Sequence, residues 1–175
     1  MHKWLLGFAM LVAYCMAQRP LVPDLEAQRL AMKKLSFLTG RWSGEARIFR
    51  RPGETVELSQ TEEAQYKLDG LVLMIEGVGR NKSDGKIALQ ALGLISFDDT
   101  LGKYRMRAFN DGRFMETDLI LAEDGNGLRW GFSVGEVRTS SVLHLNENRE
   151  WTEHTEIRVG SQPARKFMEL RDLLH

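Results

Sequence analysis

Leu35-Ser36-Phe37-Leu38-Thr39-Gly40-Arg41-Trp42-Ser43-Gly44 is the stretch that decides the fold. A large aromatic sits between two glycines, and from Trp42 onward the apolar residues recur with period two almost to the end of the chain. The alternation predicts strands over Trp42–Arg50, Val56–Leu68, Leu71–Arg80, Lys86–Phe97, Lys103–Phe109, Arg113–Ala122, Gly127–Ser133, Val137–Leu145, Glu150–Val159 and Arg165–Leu170. Between them stand turn signals such as Asp69-Gly70, Ser83-Asp84-Gly85 and Asn110-Asp111-Gly112. Their glycines supply the positive φ that tight hairpins need. No long helical pattern separates the strands, so the sheet is antiparallel and built from sequential hairpins. A closed barrel removes the exposed edges that an open sheet of about ten strands would leave. The expected fold is therefore all-β: a single antiparallel barrel of about ten strands. Trp42 is expected to point inward and fill its base.

Upstream of the barrel the period changes. Asp24 can cap a short helix through Leu25–Leu35, with acids early and lysines late as the helix dipole prefers. Leu25, Met32, Leu35 and Phe37 would form its apolar stripe, and the helix is short enough to cover one barrel mouth. Residues 1–17 read as an export signal: Lys3, then the apolar run Trp4 to Met16, then small residues suited to cleavage after Ala17. The run is too short for a comfortable membrane span. A rival reading makes Cys15 a lipid-anchored cysteine. Residues 18–175 then form one barrel domain, exported to the periplasm or secreted, with no transmembrane segment in the mature chain.

Cys15 is the only cysteine in the 175 residues, so the mature domain has neither disulfide nor thiolate chemistry. An exported domain without disulfides leans toward a bacterial envelope. The formal charge is zero. Removing residues 1–17 takes away one lysine and no acid, which leaves −1. The cations are scattered, so no concentrated positive face for nucleic acid is expected.

The opening Leu35–Gly44 stretch resembles that of nitrobindin-like, calycin-type barrels, in which the tryptophan plugs the closed end. The remainder is similar to an exported bacterial family of unknown function, number 1579 in its series. The similar parts are Leu68-Asp69-Gly70, Leu94-Ile95-Ser96-Phe97-Asp98 through Gly102-Lys103-Tyr104-Arg105-Met106, Leu128-Arg129-Trp130-Gly131-Phe132 and Trp151-Thr152-Glu153. The first resemblance implies haem held by a histidine in the C-terminal part, for which His154 or His144 would serve. The histidine-leucine pattern of a nitrobindin is not found. Together the two resemblances imply a lipocalin-like β-barrel with a short N-terminal helix, and the second brings no activity.

A barrel with an interior is a container, so the expected function is non-covalent binding of a small apolar or amphipathic molecule. Trp42, Trp130 and Trp151 would form its apolar wall, with Leu128, Trp130 and Phe132 as an inward row. Trp151, Glu153, Thr155 and Ile157 share a strand face, so Glu153 falls inside or at the rim, as a polar anchor or as a strand-end residue reaching water. Arg105 and Arg107 share a face too. Inside, they would receive an anionic head group; Tyr104, Met106 and Ala108 make the better core face, which favours the outside. His144 and His154 fall on faces opposite the apolar ones. Glu62-Glu63 and Asp98-Asp99 read as turn and surface residues. No metal motif and no catalytic set stands out: there is no HExxH, no His-x-His and no Cys-x-x-Cys. Three other readings stay open. They are a barrel enzyme with Glu153 as base, a haem protein, and a structural envelope protein with a filled barrel.

Overall fold

In a computed structural model, which describes residues 22–110 and 112–175, a short helix is followed by a continuous antiparallel meander. The export signal over residues 1–17, with Cys15, lies outside the described residues. The helix α1 spans Leu25–Lys33, and the strands are β1 (Gly40–Arg51), β2 (Glu54–Lys67), β3 (Val72–Asn81), β4 (Ile87–Asp98), β5 (Lys103–Asn110) and β6 (Arg113–Leu121). They continue as β7 (Gly127–Trp130), β8 (Ser133–Val134), β9 (Val137–Leu145), β10 (Glu150–Val159) and β11 (Arg165–Leu174).

From β1 to β7 each strand pairs with the next in sequence. β9 pairs with β10 and β11 returns to β1, through partners Trp42 and Leu174 to Ile48 and Met168, so the sheet closes. β7 and β8 both pair with β9 and make one interrupted stave, which leaves ten staves in the ring. The interruption, where one strand over Gly127–Ser133 was expected, falls at Gly131-Phe132. There the backbone passes so close to β9 that a Cβ on Gly131 would stand 2.3 Å from the Thr139 carbonyl oxygen. The last strand runs four residues further than its alternation suggested, and this brings Asp172 into the wall.

α1 closes one end. Asp24 caps it by accepting a hydrogen bond from the Ala27 N–H at 3.0 Å. Its last carbonyls, which a helix leaves without internal partners, are met from the barrel: Tyr104 Oη donates to Ala31 O at 2.7 Å and Tyr66 Oη to Met32 O at 2.6 Å. Arg29 pairs with Asp69 at 2.8 Å, and Gln28 Nε2 donates to Asp99 at 2.7 Å, fixing the helix to the β2–β3 and β4–β5 turns. Its buried stripe is Ala31, Met32 and Leu35; Leu25 is 45% exposed and does not belong to it. Below the helix, Trp42 is 2% exposed and donates its indole N–H to Leu38 O at 2.8 Å. Its ring meets Trp151 edge to face, centroids 5.5 Å apart. The base is thus a stack of helix, Trp42 and Trp151. Among the described residues no helix is long and apolar enough to cross a membrane.

Candidate functional site

The end opposite the helix stays open, and a cavity of about 720 Å³ runs from it toward the base. Its walls are mainly apolar, with Ile75, Ile95, Met106, Leu119, Trp130 and Phe132 among them, so the filled barrel considered above is not what the interior holds. At the mouth, Arg50 of β1 and Arg113 of β6 border the opening, and neither forms an ion pair with another described residue. Trp130, Trp151 and Glu153 line the cavity, as their strand faces required. Trp42 does not: it lies beneath Trp151 as floor, so its place in the apolar wall is corrected.

Arg105 and Arg107 lie on the outer wall. Arg105 Nε is 3.0 Å from Asp118 and Arg107 Nε 2.8 Å from Glu116, each partner being opposite it on β6, while Tyr104 and Met106 fill the interior. Neither arginine reaches the cavity, so the reading that placed them inside as anion receptors is overturned by the better burial of the tyrosine and methionine. His144 and His154 also point outward, toward Asp124 (3.0 Å) and Glu169 (3.7 Å). No histidine or cysteine among the described residues lines the cavity. The donor set therefore does not fit a haem held inside by either histidine.

The unexpected feature is a set of acids at the inner end. Glu62 was read as a surface residue, yet Leu58, Gln60, Glu62, Ala64 and Tyr66 share the inward face of β2, and the Glu62 carboxyl borders the cavity. Glu153 comes from β10. Asp172, from β11, is fully buried next to them. Glycines opposite make the room. Gly77 stands across from Glu62, and a Cβ there would be 2.5 Å from the carboxyl; Gly44 stands across from Asp172, and a Cβ there would be 2.7 Å from Asp172 Oδ1. Gly79 does the same for Gln60 Oε1 at 2.6 Å.

Among the described residues no lysine, arginine or histidine pairs with these acids. Gln60 Nε2 donates to Glu62 at 2.7 Å, and Thr155 Oγ1 to Glu153 at 3.2 Å. Since Thr155 gives its proton to Glu153, the 2.7 Å bond between Ser141 and Thr155 has Ser141 as donor, a short relay ending at the carboxylate. Both Asp172 oxygens and Gln60 Oε1 are buried without a partner, as is Trp151 Nε1. Removing a carboxylate from water penalises its charged form. Burial pushes Glu62 up to about 8, opposed by the Gln60 bond and reinforced by the Glu153 and Asp172 charges. Burial likewise lifts Glu153 to about 7, opposed by Thr155 and helped by Asp172, and lifts Asp172 to about 7. Near neutral pH the set can therefore hold or release protons. The described residues include no group of three or more His, Cys, Asp or Glu side chains placed to hold a metal ion.

No protein-family model matches the chain, and no curated protein matches it. Among solved structures it is similar to Rv2717c from M. tuberculosis. The identity is 16%, over 89% of this chain and 99% of that one, with a TM-score of 0.66. It is also similar to the S-type phycobiliprotein lyase CPES from Guillardia theta, at 8% identity, over 83% of this chain and 92% of that one, with a TM-score of 0.59. At these identities the likeness is one of fold.

Proposed function

We infer that this barrel is a container for one small, mainly hydrophobic or amphipathic molecule, bound non-covalently. The observation that carries the reading is the cavity itself. About 720 Å³ lies within the range of small-molecule pockets, its walls are apolar with a few convergent polar groups, and one end is open while the other is sealed by α1 and Trp42. A barrel that served only as a structural part would gain stability by filling this volume. Trp130 and Trp151 supply rigid wall area, and Glu153 and Glu62 supply the polar anchor. The fold shared with the two solved structures is compatible with this reading and does not carry it, because one fold hosts many functions. Export through residues 1–17, and kinship with the exported family 1579, are proposals that rest on the quoted sequence stretches.

The test is a native mass spectrum of the protein expressed with its own N-terminal segment and purified without detergent. The expected result is an excess mass released by gentle activation. A bare mass, together with no uptake of added apolar probes, would contradict the container. The same spectrum reads out cleavage after Ala17 against lipidation of Cys15.

One observation favours a second reading, an enzyme of proton transfer. Glu153 borders an apolar cavity, sits at the end of a hydrogen-bond relay and is lifted to about 7, where a general base works well. That reading requires a turnover that Glu153→Gln abolishes while the cavity still takes up ligand.

A further inference from the structure

We propose that the inner end of the cavity receives the protonated amine of an amphipathic ligand, with Glu62 and Glu153 as its carboxylate partners, Asp172 as the charge behind them and Trp151 as its aromatic wall. The proposal rests on the container reading and adds the chemical class of the ligand's head group.

Four observations converge on it. First, Glu62 and Glu153 from two strands line the inner end of an otherwise apolar cavity, Asp172 of a third strand is fully buried behind them, and no lysine, arginine or histidine is among the residues that line this end. Glu62, Gly77, Ser141, Trp151 and Glu153 line this end, while Gln60 and Asp172 are buried behind them. A buried set of acids without a counter-charge is costly, and a partner that brings positive charge removes the cost.

Second, the partnerless buried atoms are mostly acceptors. At this end, three buried acceptors lack a donor (Gln60 Oε1 and both Asp172 oxygens), against a single buried donor without an acceptor (Trp151 Nε1). These acceptors add negative potential behind Glu62 and Glu153, and an ammonium, with three N–H bonds and no acceptor, is the head group that answers it. Gln60 and Asp172 are 1% and 0% exposed, so they act on the cavity through charge and dipole and not by contact.

Third, the spacing suits an organic cation. The acids are not grouped tightly enough to hold a metal ion. Trp151 lines the same end as Glu62 and Glu153, where an aromatic ring can meet an organic cation. Fourth, the apolar walls between this end and the mouth suit an alkyl or aryl tail. The mouth cation Arg50 lies eight residues along β1 from Trp42, the register partner of Glu62. That is about 26 Å, several Debye lengths at physiological salt, so it does not oppose an ammonium at the base.

Calorimetric titration of the purified protein at pH 8.5 with octylammonium, octanol and octanoate tests the idea, because the three share a tail and differ in the head. Octylammonium is expected to bind at least tenfold tighter than octanol, and octanoate more weakly than either. In Glu153→Gln and in Glu62→Gln, both near-isosteric and freed of a buried charge, the ratio of octylammonium to octanol affinity is expected to fall toward one. Octanoate binding as tightly as octylammonium, or no preference over octanol, would overturn the cationic head group and leave the container standing. If none of the three binds, the container reading falls with it.

Discussion

Raising the pH from 5.5 to 8.5 should destabilise the ligand-free barrel. Glu62, Glu153 and Asp172 ionise in the fold at about 8, 7 and 7, against ordinary values of 4.5, 4.5 and 3.8. The folded values are raised, so the stability contributed by the protonated carboxyls is complete below about pH 4 and is lost as pH climbs through 7 to 8. Between those limits the folded chain holds protons that the unfolded chain has shed. Each such proton tilts stability by about 1.4 kcal/mol per pH unit. From pH 5.5, Glu62 contributes about 3 kcal/mol and the other two about 2 kcal/mol each, a ceiling of about 7 kcal/mol. Water entering from the open mouth hydrates the ionised forms of the two cavity-facing acids, which leaves about 2–4 kcal/mol. That is a large part of a typical domain's stability. The assay is urea unfolding followed by tryptophan fluorescence at pH 5.5, 7.0 and 8.5, on protein refolded from denaturant so that any bound amphiphile is stripped. The midpoint should fall with pH at constant slope. The triple variant Glu62→Gln, Glu153→Gln, Asp172→Asn should lose most of that fall. The exposed His144 and His154 pairs are common to both proteins, so the difference isolates the acids. A midpoint that is flat or rises toward pH 8.5 in the native protein, or an equal fall in the triple variant, would refute the reasoning.

Three further outcomes follow from the same geometry. Gly44→Ala should be far more damaging than Gly77→Ala. The new Cβ at Gly44 would lie 2.0 Å from the Arg171 carbonyl oxygen, which is backbone, whereas at Gly77 it meets only the movable end of Glu62; thermal melts of the two variants compare them directly. Trp42→Ala should cost about 3–5 kcal/mol, the figure for a large buried aromatic, measured by chemical denaturation. Arg105→Gln and Arg107→Gln, on the outer wall, should change stability by less than about 1 kcal/mol and leave octanol affinity unaltered; a tenfold loss would put those side chains back in the cavity.

Much of this architecture is legible in the sequence because barrel strands write their faces in alternation. Tyr104, Met106 and Ala108 against Arg105 and Arg107 give the orientation of β5, and Trp151, Thr155 and Ile157 against His154 and Glu156 give that of β10. Glu62 was legible by the same rule, since Leu58, Ala64 and Tyr66 share its parity while Glu57, Ser59, Thr61 and Glu63 oppose it. Adjacent acids invite a surface reading, and that outweighed the parity. Asp172 was hidden for another reason. Leu173 and Leu174 blur the alternation, so the strand reads as ending at Leu170, while pairing with β1 carries it to Leu174. The glycines opposite the acids carry no message until register is known: Gly77-Val78-Gly79 falls inside the expected strand Leu71–Arg80, and in the barrel its glycines vacate the volume that Glu62 and Gln60 fill. The helix stripe failed at Leu25 because the contacts that seat α1, from Tyr66 and Tyr104, lie at its C-terminal end.

The container claim is tested most directly by plugging it. Gly93 lines the cavity, its backbone is one that any residue adopts, and a Cβ there meets only ordinary contacts, 3.8 Å to Met106 Sδ and 3.9 Å to Ile75 O. Gly93→Leu therefore projects a side chain into the cavity while keeping the strand. Titration of an environment-sensitive neutral dye such as N-phenyl-1-naphthylamine against the native protein and this variant, with circular dichroism to show both folded, is the measurement. The account predicts saturable one-to-one binding in the native protein and at least a tenfold loss in Gly93→Leu. Equal binding by two equally folded proteins would place the ligand outside the barrel and contradict it.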